Sequence, residues 1–207
     1  GENTMKHYIR TLSLFLFISV LVGQPTFTDH TISDSANYAV SVHAADVDGD
    51  GDMDVLSASE YDDKIAWYEN DGSESFTEHV ITTSLGYAAS VYMADVDSDG
   101  DMDMLSANES DDKIAWYEND GSENFTEYAI STSADGATLV HAVDVDGDGD
   151  MDVLSASKYD DKIAWYENDG SESFTEHVIS DSADYARTVY AADVDGDGDM
   201  DVLSASR

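Results

Sequence analysis

Residues 46–54 read D-V-D-G-D-G-D-M-D, a nine-residue stretch with carboxylates at positions 1, 3, 5, 7 and 9 and Gly51 at position 6. Neighbouring carboxylates about 4 Å apart repel by about 1 kcal/mol in water, and by several times that where water is partly excluded. Hard oxygen ligands at this density, with a glycine where a short chain must turn sharply around an ion, suit Ca2+. The stretch reads as a metal loop.

The pattern returns at residues 95–103 (D-V-D-S-D-G-D-M-D), 144–152 and 193–201, and the leading aspartates Asp46, Asp95, Asp144 and Asp193 stand 49 residues apart without a gap. A fixed period of this size marks a repeat architecture in which each unit buries its faces against its neighbours.

Each unit holds four strand-like runs. Residues 38–45 (Y-A-V-S-V-H-A-A) lead into the acidic loop and residues 55–59 (V-L-S-A-S) lead out of it, so the loop joins two strands as a hairpin. Residues 64–70 (K-I-A-W-Y-E-N) alternate, Ile65 and Trp67 on one face and Ala66 and Tyr68 on the other. Asp71-Gly72 follows as a tight hairpin signal, and residues 76–81 (F-T-E-H-V-I) supply a fourth run rich in β-branched and aromatic residues. The unit is predicted to be a four-stranded antiparallel meander, and a period of 40 to 50 residues is that of a β-propeller blade. Small residues beside the loop, among them Ala44, Ala45, Ala94, Ala191 and Ala192, fit an innermost strand crowded around a channel. Trp67, Trp116 and Trp165 on the third strand are placed to wedge between blades.

The units resemble the bacterial FG-GAP/VCBS-type repeats related to the integrin alpha-chain propeller, and the resemblance runs from Phe27 to Arg207. It implies Ca2+ bound through side chains at positions 1, 3, 5 and 9 and through the carbonyl of position 7. The implied side-chain ligands are Asp46, Asp48, Asp50 and Asp54; Asp95, Asp97, Asp99 and Asp103; Asp144, Asp146, Asp148 and Asp152; and Asp193, Asp195, Asp197 and Asp201. The implied carbonyl donors are Asp52, Asp101, Asp150 and Asp199. The Phe-Gly and Gly-Ala-Pro signatures of the integrin repeats are absent, so the resemblance carries the metal loop and not integrin-like ligand recognition.

The formal charge is −38, and the loops hold 20 of the 46 acidic residues. Four divalent ions would still leave −30. Such a surplus excludes nucleic acid as a partner, because phosphate backbones attract basic surfaces. Its plain meaning is solubility or tolerance of salt. With no cysteine, the compartment is read from the N-terminus instead. Residues 5–24 carry a basic start, an apolar core at 12–22 and small residues after it, the pattern of a secretory signal peptide. An 11-residue core falls well short of the roughly 20 needed to span a bilayer. Residues 1–4 precede the first methionine and are set aside. Extracellular calcium modules bind with Kd of about 0.1 to 1 mM, so export and metal chemistry agree.

From Phe27 the units fall at 27–75, 76–124, 125–173 and a partial 174–207: a fourth-type strand at 27–32, three full blades, then two strands. The ring is therefore expected to be incomplete, the N-terminal part of a longer reading frame, with open sheet edges that favour self-association.

Competing readings are weaker. An EF-hand needs an acidic ligand at position 12 and flanking helices, whereas position 12 is Ser57, Ser106, Ser155 and Ser204 and strands flank each loop. His30, His79 and His177 share a repeat position with Tyr128, and His43 and His141 share another with Tyr92 and Tyr190, so they read as aromatic fillers rather than ligands or bases. Tyr61, Tyr68, Tyr117, Tyr159 and Tyr166 invite a sugar-stacking reading, against which stands the ordinary use of such rings in packing. The expected protein is a secreted, calcium-binding, all-β propeller repeat protein, with no catalytic residue singled out. Its role is structural, adhesive or ligand-binding, with a glycan or a surface protein as the partner. The alternative is the propeller portion of a secreted carbohydrate-active lyase or hydrolase.

Overall fold

β-branched and aromatic residues at alternate positions, broken every few residues by Asp, Gly and Ser, favour short strands and leave no stretch for a helix. The computed structural model describes residues 28–207, so the expected signal peptide lies outside the described residues. Every regular element among them is a strand. The first sheet runs β1 (Ala39–Ala45), β2 (Asp54–Ser59), β3 (Lys64–Asn70) and β4 (Phe76–Thr82), antiparallel and in chain order. The second repeats this with β5 (Ala88–Ala94), β6 (Asp103–Asn108), β7 (Lys113–Asn119) and β8 (Phe125–Ser131). The third holds β9 (Ala137–Val143), β10 (Asp152–Ser157), β11 (Lys162–Asn168) and β12 (Phe174–Ser180). A last pair, β13 (Thr188–Ala192) and β14 (Asp201–Ala205), forms a two-stranded sheet. This is about three and a half propeller blades, without ring closure among the described residues.

The strand bounds match the sequence reading to within a residue, with two corrections. The expected fourth-type strand at 27–32 does not form over its described part, residues 28–32. Strands of that type pair with a third-type strand, and β3, β7 and β11 already have β4, β8 and β12. The turn after β3 is also not a tight two-residue hairpin. Asn70 pairs with Phe76, leaving a five-residue connection closed by the Asp71 N–H donating to the Ser75 carbonyl at 3.1 Å.

β1, β5, β9 and β13 lie side by side, so the first strand of each blade is innermost. Serine hydroxyls stitch them: the Val91 N–H donates to Ser41 Oγ at 3.3 Å, and the Val140 N–H to Ser90 Oγ at 3.4 Å. The shared His/Tyr position becomes a ladder of rings, with His43 and Tyr92 centroids 4.5 Å apart, Tyr92 and His141 4.8 Å, and His141 and Tyr190 4.9 Å. The other histidine position is equally a packing one. His79 stacks on Trp67 at 4.4 Å, Tyr128 on Trp116 at 5.1 Å and His177 on Trp165 at 4.6 Å.

Three apolar clusters hold the array together, and each joins adjacent blades. One combines Leu56, Ile65 and Trp67 of the first blade with Val91, Met93, Met104 and Tyr117 of the second. The next places Trp116 with Val140, Val153 and Tyr166. In the third, Trp165 is only partly buried, because β13 and β14 cover less of it than a full blade would. Tyr68, Tyr117 and Tyr166 are buried and occupied with packing, while Tyr61 and Tyr159 are exposed.

Burial lowers the pKa of both His43 and His141 from the ordinary 6.5, and for His141 the proximity of His43 adds to it. Both imidazoles thus bind protons more weakly in the fold than in the open chain. Their contribution to stability is whole above pH of about 6.5 and fades as pH falls below it. His43→Tyr/His141→Tyr restores the residue used at the other two rungs and removes both titrations. Thermal melts between pH 7.5 and pH 5 should show the native chain losing more stability than the double variant; an equal loss would mean that the ladder does not sense protons.

Candidate metal centres

Each loop joins the last residue of an innermost strand to the first residue of its partner, so four loops sit at one end of the innermost hairpins. Within a loop, side-chain oxygens accept nearby amide protons and fold the chain back on itself. The Asp50 N–H donates to Asp48 Oδ1 at 3.1 Å, the Gly51 N–H to Asp46 Oδ2 at 3.0 Å and the Asp52 N–H to Asp50 Oδ1 at 2.9 Å. Gly51 takes φ 97°, and its counterparts Gly100, Gly149 and Gly198 take 101°, 102° and 99°, a conformation that favours glycine strongly. The sharp turn expected at position 6 is there.

Of the four side-chain positions implied, 1, 3 and 5 converge in three loops, and 1, 3 and 9 in the third. One oxygen from each of Asp46, Asp48 and Asp50 lies within 4.8 Å of the others, and Asp95, Asp97 and Asp99 do the same. Asp193, Asp195 and Asp197 form the trio of the fourth loop, and Asp144, Asp146 and Asp152 that of the third. Two oxygens bound to one Ca2+ at about 2.4 Å can be no more than about 4.8 Å apart, so these spacings match one hard cation. Asp46 Oδ1 and Asp95 Oδ1 are buried with no hydrogen-bond donor, an arrangement that is costly for a carboxylate unless a cation serves it. The residues present fit a divalent metal.

The environment points the same way. Burial raises the pKa of Asp48 and Asp97, and the neighbouring loop carboxylates add to it. Burial pushes Asp103 up to about 6 and raises Asp152, against backbone N–H donors that pull them back. A folded-state pKa above the open-chain value means that ionisation opposes folding, so these groups favour the fold at low pH and lose that contribution as pH rises, Asp103 doing so through about 6. A bound cation would offset this penalty on the ionised loops.

Position 9 has a second task that sequence reasoning missed. Asp54 is fully buried and uses both oxygens, taking the Val47 N–H of its own loop at 2.8 Å and the Asn70 N–H at the end of β3 at 2.8 Å. Asp103 repeats the clamp with Val96 at 3.0 Å and Asn119 at 2.8 Å, and Asp152 with Val145 at 2.9 Å and Asn168 at 2.8 Å. Asp201 keeps only the loop half, through the Val194 N–H at 3.0 Å. The asparagine that ends each third strand completes the tie, as Asn70 Nδ2 donates to the Met53 carbonyl at 3.2 Å. Asn168 Nδ2 also reaches the Val96 carbonyl in the loop of the preceding blade at 3.0 Å. The signal was the recurrence of Asn at that register in Asn70, Asn119 and Asn168.

Position 7 is different again. The Asp52 carboxylate packs over the turn after β3, where a Cβ on Gly72 would collide with it, and Asp101 and Asp150 stand in the same way over Gly121 and Gly170. Their side chains leave the trio.

A family model described as FG-GAP-like repeat matches residues 46–106, 95–155 and 144–204. No curated protein matches the chain. Among solved structures, a protein from Lactobacillus plantarum aligns over 73% of this chain and 44% of its own, at 16% identity and a TM-score of 0.50. The V. cholerae biofilm matrix protein Bap1 aligns over 86% of this chain and 30% of its own, at 20% identity and a TM-score of 0.50. The chain thus spans less than half the length of either, and the likeness is one of fold.

The two roles separate by mutation. Asp103→Ala orphans two buried amides at about 1–3 kcal/mol each and should lower the melting temperature with or without chelator. Asp101→Ala, which removes a side chain outside the trio, should cost no more than about 0.5 kcal/mol. Equal effects would remove the distinction between positions 7 and 9.

Proposed function

The chain belongs to the FG-GAP-like repeat family, and from that premise we propose that it is a secreted calcium-binding propeller whose role is structural or adhesive. The observation that carries the reading is the carboxylate trio found within 4.8 Å in each of the four loops. An all-oxygen, anionic donor set without His or Cys selects a hard cation, and a flexible loop of many carboxylates favours Ca2+ over the stricter Mg2+. Each ion offsets the mutual repulsion of a loop and fixes the hairpin between the first two strands of its blade, so binding free energy adds to folding free energy.

Export is supported by the basic-then-apolar pattern of residues 5–24, and repeats of this family are typical of extracellular proteins. Millimolar external calcium would fill loops whose affinity lies in the range of extracellular modules. The adhesive side of the reading is supported by likeness of fold to a biofilm matrix protein. It is also supported by the uncovered face of the first blade, where Val42 is 71% exposed while Val91 and Val140 at the same repeat position are buried against the blade before them. Such an apolar face is open to further chain, to a surface protein or glycan, or to a second copy.

Chelation is the direct test. EDTA should lower the melting temperature markedly, millimolar Ca2+ should restore it, and equimolar Mg2+ should restore less. Titration calorimetry should count about four ions per chain, one for each loop. A melt that ignores EDTA would end the structural role assigned to the metal.

A further inference from the structure

At the opposite end of the innermost hairpins from the aspartate loops, the repeat stops repeating. One repeat position there holds Val40, Ala89 and Thr138, second in their first strands, and Arg187, just before β13; another, just past the second strands, holds Glu60, Glu109, Lys158 and Arg207. Between these positions and the loops, the second strands stay nearly constant as V-L-S-A-S or M-L-S-A-N. The rim therefore passes from acidic to basic in blade order, while the framework behind it holds still.

The cations of the described residues sort in the same way. Lys64, Lys113 and Lys162 each pair with a fourth-strand carboxylate, Glu78 at 2.6 Å, Glu127 at 2.6 Å and Glu176 at 2.9 Å. Lys158 is buried against Glu109. Arg187 is exposed, lies over the Tyr185 ring at 4.4 Å and has no carboxylate partner among the described residues. Glu60 likewise has no side-chain partner there. Both line one cleft of ≈ 330 Å3, with Tyr87, Thr138 and the Lys158–Glu109 pair between them.

We propose that this cleft binds a small zwitterion bearing an α-ammonium and an α-carboxylate, a free amino acid or a dipeptide. The carboxylate seats on Arg187, which alone of the cleft's cations lacks a carboxylate partner among the described residues, and a guanidinium matches a carboxylate two-pronged. The ammonium faces Glu60, and an apolar side chain lies against Tyr87 and Val40. A plain anion meets the field of a chain with net charge −38, whereas a dipolar ligand of zero net charge is not repelled and satisfies both walls. The site does not rest on the metal reading, since it uses none of the loop residues.

Calorimetric titration of the chain in millimolar Ca2+ tests this with phenylalanine and glycyl-phenylalanine, and with N-acetylphenylalanine and phenylalanine amide as controls lacking one charge each. Phenylalanine or its dipeptide should bind saturably, the tighter of the two identifying the source, and each control should bind at least about tenfold more weakly. Arg187→Gln and Glu60→Gln should each weaken binding about tenfold with an unchanged melt and unchanged calcium stoichiometry. Saturable binding of neither zwitterion, a control that binds as tightly as its parent, or variants that bind like the native chain would each overturn the proposal. A loss of calcium binding with ligand binding intact would instead count against the metal reading alone.

Discussion

Each complete blade hangs on one buried carboxylate. Asp54, Asp103 and Asp152 are fully buried, and each ties two amides that lie far apart in sequence: one seven residues earlier, in its own loop, and one sixteen residues later, at the end of the third strand. A charged acceptor with two backbone donors is among the stronger interactions available inside a protein. It fixes the loop to the sheet, and the loop is where the other carboxylates gather. The fourth blade makes the comparison internally: without a third strand, Asp201 keeps one donor and is exposed.

Packing is arranged around the same constraint. Among the described residues no apolar cluster is internal to one blade; each needs the next blade's innermost strands to close it. The side-chain ties obey the same rule. Asp63 Oδ1 in the turn between β2 and β3 accepts the Tyr87 N–H at 3.2 Å, and Asp112 and Asp161 do the same for Gly136 and Tyr185. These tyrosines take φ near +54°, which a glycine fills at position 136. Neighbouring blades thus share their stability, as in other arrays of nearest-neighbour contacts.

The strands, their order and the gathering of carboxylates in each loop were legible in the sequence because each rests on local pattern: alternation, turn residues, and a period that needs no gap. What was not legible depends on partners distant in the chain. Nothing in D-V-D-G-D-G-D-M-D says that its last aspartate turns both oxygens to backbone amides, because the deciding amide belongs to Asn70 on another strand. Asp71-Gly72 misled for a related reason. The dipeptide signals a two-residue hairpin, but Asp71 Oδ1 captures the N–H groups of Ser73 and Ser75 and widens the turn to five residues. The rim charges were visible as exceptions to the repeat, but only the fold places Glu60 and Arg187 in one cleft.

The serine stitches between innermost strands join residues 50 apart, one unit plus one residue. The first two junctions thus use the same register and the same small hydroxyl, whereas Leu139 stands at that repeat position in the third. A recombination event that inserts or deletes one whole unit keeps the spacing of the stitch, and only the residue that fills it changes with the units joined. Copy number in such a gene can drift without passing through a misfolded intermediate length, and natural variants should differ by whole multiples of the period.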